Sequence, residues 1–223
     1  MTTTLSRSVE DYLKVIYQIT ERSDSGGTTE IAGRLDLTPA SVTGMVKKLA
    51  ESGLLEHVPY KGVRLTDQGR VAALAVMRRH RILEAYLITK LGYDWSNVHQ
   101  EAERLEHAVS DELVERMAFA LGQPKYDPHG APIPTPEGEI ERTAYVPLAE
   151  CEVGATVHVR QVGDDDAERL RYLKSIGLVP MTEVTVVDKQ PFGGPITLRL
   201  AGRETKDRVI GTELAESLWV EKR

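Results

Sequence analysis

Thr29-Glu-Ile-Ala-Gly-Arg-Leu35, then Asp36-Leu37, then Thr38-Pro39-Ala40-Ser41-Val-Thr43-Gly44, is the stretch whose reading fixes the architecture. The first seven residues are short and amphipathic, and Asp36-Leu37 reads as a tight turn. Thr38-Pro39 opens a second helix with a hydroxyl N-cap and proline at the first helical position. That helix runs to Gly53, so a helix-turn-helix is predicted. Gly53-Leu54-Leu55-Glu-His-Val then alternates into a strand, Tyr60-Lys61-Gly62 supplies a turn, and Val63-Arg64-Leu65-Thr66 returns as a wing. In such a winged helix, Thr38, Pro39, Ala40, Ser41 and Thr43 are small or hydroxylated enough to let the second helix approach a major groove. Lys47, Lys48, Lys61 and Arg64 are placed to hold phosphates of double-stranded DNA. Each cation alone reads equally well as solvated surface; the pattern, wing and basic flank together favour DNA over a purely structural winged helix.

On the N-terminal side, residues 5 to 21 predict a helix with Val9, Tyr12, Leu13, Ile16 and Tyr17 on one face. Ser8 offers an N-cap and, with Asp11 three residues on, resembles a capping box; Asp11 points away from the apolar face. Gly26-Gly27 ends the segment.

Two helices beyond the wing carry imidazoles and carboxylates. From Val71 to Leu91, Met77, Leu83, Leu87, Ile88 and Leu91 form an apolar stripe, and His80 and Glu84 lie within or beside it. A carboxylate on an apolar face is costly unless paired, protonated or metal-bound. In His99-Gln-Glu-Ala-Glu103-Arg-Leu-Glu106-His107, at about 100° per residue, His99, Glu103, Glu106 and His107 share about a third of the helix circumference. Val98, Ala102, Leu105 and Val109 form the adjoining apolar arc. Such a donor set suits a hard or borderline divalent cation. On spacing alone, a solvated acidic face and a core histidine bonded to Glu84 remain open readings. Helices over about 97–109 and 110–121 are predicted to pack through Val109, Leu113, Met117 and Leu121. A helical block of this kind suits a homodimer reading a two-fold operator.

Gln123 to Glu141 holds Pro124, Pro128, Pro132, Pro134 and Pro136, which predicts an extended linker with His129 as a loop histidine. From Val146 short strands alternate with a helix from about Asp166 to Ile176 stopped by Gly177, and Leu218-Trp219-Val220 closes a small barrel. Asp164-Asp-Asp166 and Glu168 read first as helix caps and second as metal oxygens. The predicted class is mainly α with small β parts. Its divisions are a winged helix over 1–70, a helical metal-binding and dimerisation domain over 71–122, a linker over 123–145 and a barrel over 146–223.

Composition narrows the function. The single cysteine, Cys151, permits no internal disulfide, and Met1-Thr-Thr-Thr-Leu-Ser lacks a basic and then apolar leader. With no apolar run of membrane-spanning length, the expectation is a cytoplasmic chain without a membrane partner. A net charge of −6 argues against a uniformly basic protein but leaves room for a local basic surface. Glu103-x-x-Glu106-His107 differs at one position from the His-x-x-Glu-His zinc-peptidase pattern, and the missing histidine removes a ligand. Without a separate nucleophile, oxyanion donor or Gly-rich phosphate loop, no enzyme and no small-molecule substrate are expected, and metallohydrolase stands only as an alternative.

The order of these parts resembles the diphtheria toxin repressor family of metal-dependent regulators over nearly the whole chain. Glu10-Asp11-Tyr12-Leu13, Ile16-Tyr17, Val76-Met77-Arg78-Arg79-His80-Arg81, Glu106-His107 and Ser110-Asp111-Glu112 carry the likeness. The terminal piece is similar to the family's Src-homology-3-like barrel, shared with ferrous-iron transport proteins. The resemblance implies a primary metal site of Asp11, Glu103, Glu106 and His107. It also implies an ancillary site of His80, Glu84 and His99, with Asp166 added from the barrel. The iron-responsive branch has Met and Cys at the positions of Asp11 and Glu103, whereas the manganese branch has Asp and Glu. This implies Mn(II), with Fe(II) the alternative, in a repressor of metal-uptake genes. Lys14 stands where short manganese regulators place a second-metal Glu, a departure from their pattern. A metal-independent winged-helix regulator with structural His/Glu clusters remains the rival.

Overall fold

The computed structural model describes residues 5–21, 23–141, 144–163, 166–202 and 207–222, which form two compact units discontinuous in sequence. The first takes residues 1–80, 104–113 and 134–140; the second takes 81–103, 114–133 and 141–223. Among the described residues no helix is long and apolar enough to cross a membrane.

In the first unit α1 (Arg7–Thr20), α2 (Thr28–Leu35) and α3 (Pro39–Glu51) precede the hairpin β1 (Leu55–Val58) and β2 (Gly62–Leu65). Leu13, Ile16, Ile31, Val42, Leu49, Val63 and Leu74 are buried together, so the apolar faces of helices and wing form one core. Thr38 caps α3, its hydroxyl accepting from Ser41 N at 3.3 Å, with Pro39 in the first turn as the sequence predicts. The cap of α1 is different. Ser6, not Ser8, precedes the helix, and no side chain caps it, so the predicted capping box does not form. Gly62, at φ 115°, meets the α1–α2 loop so closely that a Cβ would lie 2.1 Å from Gly26 O. Backbone bonds between Gly26 and Val63 at 2.8 and 3.0 Å fasten the wing there.

The long helix α4 (Asp67–Leu91) follows, then α5 (Val98–Leu105) and α6 (Asp111–Ala120). On α6 the buried residues are Val114 and Ala118, whereas Leu113, predicted as an inward contact, is 42% exposed.

The second unit contains an antiparallel sheet of β3 (Val146–Pro147), β4 (Thr156–Val162), β5 (Glu183–Lys189), β6 (Ile196–Leu200), β7 (Asp207–Ile210) and β8 (Leu218–Lys222). Its strand order is β3-β8-β4-β5-β6-β7. Register shifts between Val159 and Gln161 and between Val186 and Asp188 mark bulges that bend β4 and β5. Leu170 and Leu173 of α7 (Ala167–Ile176) join Val157, Val184, Leu198 and Val220 in its core. Gly177 ends α7 in the left-handed region at φ 79°, as predicted. β7 and the short α8 (Thr212–Glu216) are additions that the sequence did not predict.

The Pro-rich segment is not an extended linker. Asp127, Gly130, Ala131 and Ile133 are buried, and His129 is fully buried instead of lying on an open loop. Proline removes backbone donors, but its carbonyl still needs a partner when buried. Side chains supply them: Trp95 Nε1 donates to Pro128 O at 2.9 Å and Arg81 Nη1 to Pro132 O at 2.5 Å. In the first unit Arg78 Nη1 donates to Pro134 O at 2.8 Å.

Candidate metal centre and nucleic-acid interface

α1 presents Glu10, Asp11 and Lys14 within little more than one turn. Facing them are Glu106 and His107 from the turn after α5, which closes through Ala108 N and Val109 N bonding Leu105 O at 2.9 and 3.1 Å. The helix predicted over 97–109 therefore ends at Leu105, and the four-ligand arc divides. Asp11, Glu106 and His107 each place a ligand atom within 4.8 Å of the others. His107 Nε2 lies 2.8 Å from Asp11 Oδ1 and 3.4 Å from Glu106 Oε1. That nitrogen is buried yet makes no hydrogen bond. A buried imidazole nitrogen close to two carboxylates is a donor set that a divalent cation satisfies, so the residues fit a metal.

Glu106 is fully buried. Lys14 Nζ donates to its two oxygens at 2.9 and 3.1 Å, and His80 Nδ1 lies 2.5 Å from Oε2. Burial raises the pKa of this carboxyl, but the His80 hydrogen bond and the Lys14 charge outweigh it, leaving a net lowering. His80, implied by the resemblance for the ancillary site, thus also supports Glu106. Lys14, Glu10 and Arg79 are functional neighbours that ligand-type reasoning passed over. Glu10 Oε2 lies 2.6 Å from His107 Nδ1, while Oε1 bonds Arg79 Nη2.

In the second unit the fully buried Glu84 accepts from His99, Nδ1 to Oε1 at 3.2 Å, and His99 Nε2 is 3.6 Å from Glu103 Oε1. Glu103 thus stands beside His99. His129 Nδ1 faces the other Glu84 oxygen at 3.8 Å, and Asp127, which accepts from His129 N at 2.8 Å, faces Arg81 at 3.5 Å. Only the burial of the Pro-rich segment reveals them. Asp166 is the N-cap of α7, accepting from Glu168 N at 2.8 Å and Arg169 N at 3.1 Å. These backbone bonds, Arg169's first, lower its pKa. The cap reading thus describes Asp166, while Asp164 and Asp165 lie outside the described residues.

On the winged helix Thr38, Pro39, Ala40, Ser41, Thr43, Lys47, Lys48, Lys61 and Arg64 are all solvent-exposed. Thr43 Oγ1 turns back to Pro39 O at 2.8 Å, so its hydroxyl is engaged within α3. Arg64 bonds Glu56 across the wing at 2.5 Å, and Lys61 and Lys47 have acidic partners at 4.0 Å. All these pairs are exposed and hold their cations weakly.

Comparison with known proteins follows the same parts. "Iron dependent repressor, N-terminal DNA binding domain" matches residues 4–63. "Iron dependent repressor, metal binding and dimerisation domain" matches 66–135, and "FeoA domain" matches 146–222. The iron-dependent repressor IdeR of Mycobacterium tuberculosis (strain ATCC 25618 / H37Rv) is 34% identical over 227 residues, covering 96% of this chain and 97% of its own. A solved manganese-dependent transcriptional repressor in complex with manganese superposes with a TM-score of 0.91 at 39% identity, covering 96% of this chain and all of that one. The manganese regulator SloR superposes at 0.80 with 30% identity, covering 96% and 98% of the two chains.

Proposed function

Because the chain belongs to the iron-dependent repressor family, that of the diphtheria toxin repressor, we propose that it is a metal-dependent DNA-binding repressor. It acts as a homodimer in the cytoplasm, responds to Mn(II) with Fe(II) a weaker activator, and controls metal-uptake genes. The observation that carries the reading is the group Asp11, Glu106 and His107: two carboxylates and an imidazole, with no thiolate or thioether. Oxygen-rich ligation suits Mn(II), although intrinsic affinity order favours later metals. Glu103, one helical turn before Glu106 in sequence, is the proposed fourth primary ligand, and His80, Glu84 and His99 are the proposed ancillary set.

When bound, a divalent cation supplies positive charge to these clustered acids. The protein's part is positional. Asp11 sits on α1, whose Leu13 and Ile16 share a core with Ile31 of α2 and Val42 of α3, so holding Asp11 to the Arg104–Leu113 segment fixes the recognition helix. By linkage, a ligand that binds only the competent arrangement favours it by about 2.7 kcal/mol at a hundred times Kd. α3 then offers its exposed face to a major groove, and Lys47, Lys48, Lys61 and Arg64 bind phosphates.

The test is a mobility-shift assay on the DNA upstream of its own or a neighbouring transporter gene. It is run anaerobically with Mn(II), Fe(II) and chelator. A shift requiring metal, strongest with Mn(II), is expected. An equal shift in chelator would favour the metal-independent regulator.

A further inference from the structure

Glu10 is one residue from a proposed ligand, yet both of its oxygens face protein. Oε2 lies 2.6 Å from His107 Nδ1, and Oε1 accepts from Arg79. The Glu10 and His107 side chains are 12% and 8% exposed, and the Arg79 side chain 15%, so water competes weakly for these bonds. Arg79 also reaches Asp111 at the start of α6, 3.4 Å away. Its neighbour on α4, His80, contacts Glu106.

From this geometry we infer that Glu10 is a positioning residue for the metal centre: anchored by Arg79, it keeps the His107 proton on Nδ1 and turns the Nε2 lone pair toward Asp11 and Glu106. This rests on the metal-centre reading above. An imidazole whose Nδ1–H is held by a carboxylate has one tautomer and one ring orientation, and its other nitrogen becomes a stronger ligand. The buried Nε2 is close to two acid oxygens and makes no hydrogen bond with them, which agrees with the proton lying on Nδ1. With both oxygens engaged, Glu10 acts through His107 and not as a ligand. Consecutive α4 residues therefore brace two ligands from behind, Arg79 through Glu10 and His80 directly.

The test uses the full chain with Mn(II) itself as probe, titrated against a fluorescent chelator. Nitrogen-15 NMR of the metal-free protein reports the His107 tautomer. Glu10→Ala is expected to weaken Mn(II) binding about ten- to a hundred-fold and to convert His107 from the Nδ1–H form to a mixture. Glu10→Gln retains a carbonyl acceptor, so it should keep the tautomer and lose less affinity. Unchanged affinity and tautomer in Glu10→Ala would overturn the inference. Should that variant not fold, Arg79→Met replaces it, with several-fold weaker binding and a mixed tautomer expected; wild-type values there would overturn the inference equally. Operator binding is no part of this readout. A chain that binds Mn(II) as predicted but shows no metal-dependent shift would sink the repressor reading and leave the role of Glu10 standing.

Discussion

The Asp11/Glu106/His107 cluster and the Glu84/His99/His129 cluster use the same side-chain chemistry in different settings. In the first, the Asp11 side chain remains 33% exposed and a buried imidazole nitrogen has neighbours but no hydrogen bond. In the second, Glu84 and His129 are fully buried, His129 being part of the buried Pro-rich segment with its ring tilted by 36° to that of Trp95 at a centroid distance of 5.0 Å, while the His99 side chain is 25% exposed. A cluster with one wet edge can exchange an ion as its concentration changes. One whose carboxylate and second imidazole are enclosed by packing, with His99 alone at the edge, exchanges an ion more slowly. The same His/Glu pairing thus differs, through its surroundings, in how readily it would exchange an ion.

The largest expected effect tests the first cluster. Glu106→Ala strands Lys14 and His80 beside an empty volume, and uncompensated buried charge costs about 3–5 kcal/mol. Urea denaturation should show this loss, and metal-dependent operator binding should disappear. Retained metal-dependent binding would break the assignment of Glu106. Next comes the DNA face. Removing one of Lys47, Lys48, Lys61 and Arg64 should reduce the salt dependence of operator affinity by about one counterion, with the four together adding. An unchanged salt slope would place the phosphate contacts elsewhere. His99→Ala should lower the bound metal by one ion per subunit while the dimer persists and operator binding still responds to metal, as calorimetry and sedimentation would show. A loss as complete as that of Glu106→Ala would erase the distinction between the clusters.

The smallest effect concerns Asp166, where a cap and a metal ligand predict different results. Asp166→Ala should destabilise the sheet domain by about 1 kcal/mol, the usual worth of an N-cap, and leave the metal count unchanged. Its carboxyl pKa is lowered in the folded protein, so the stabilisation is full above the ordinary carboxylate range and fades as pH falls below it. Melting curves of the two proteins should therefore converge in acid. A lost metal ion would restore Asp166 as a ligand.

Legibility in the sequence followed the range of the interactions. The winged helix, the Thr38 cap, the Gly177 stop and the main strands are set by local periodicity and turn chemistry, and the sequence predicted them. Asp11 and His107 were paired only by resemblance, because nothing local links residues 96 positions apart. The partners of Lys14 and Arg79 were hidden for another reason: a cation reads as surface until the buried acid it meets is known. The Pro-rich segment failed on a rule about missing backbone donors that takes no account of side chains such as Trp95 and Arg81 meeting the carbonyls. Leu113 was displaced by Val114 because a one-residue phase error rotates a helix face by about 100°.

The first unit is completed only by residues 104–113 and 134–140, which bears on how the chain is made. At about 5–20 residues per second, a ribosome adds the stretch from residue 80 to residue 140 in about 3–12 seconds. Until then the recognition helix has left the ribosome while the unit that orients it is unfinished. A chain that stops before residue 104 carries all of α3 but lacks Glu106 and His107, the groups that face Asp11. Aborted translation products thus carry the proposed DNA-reading element without two of the proposed metal ligands. The interleaved order of segments ties the competence of the recognition helix to completion of most of the polypeptide.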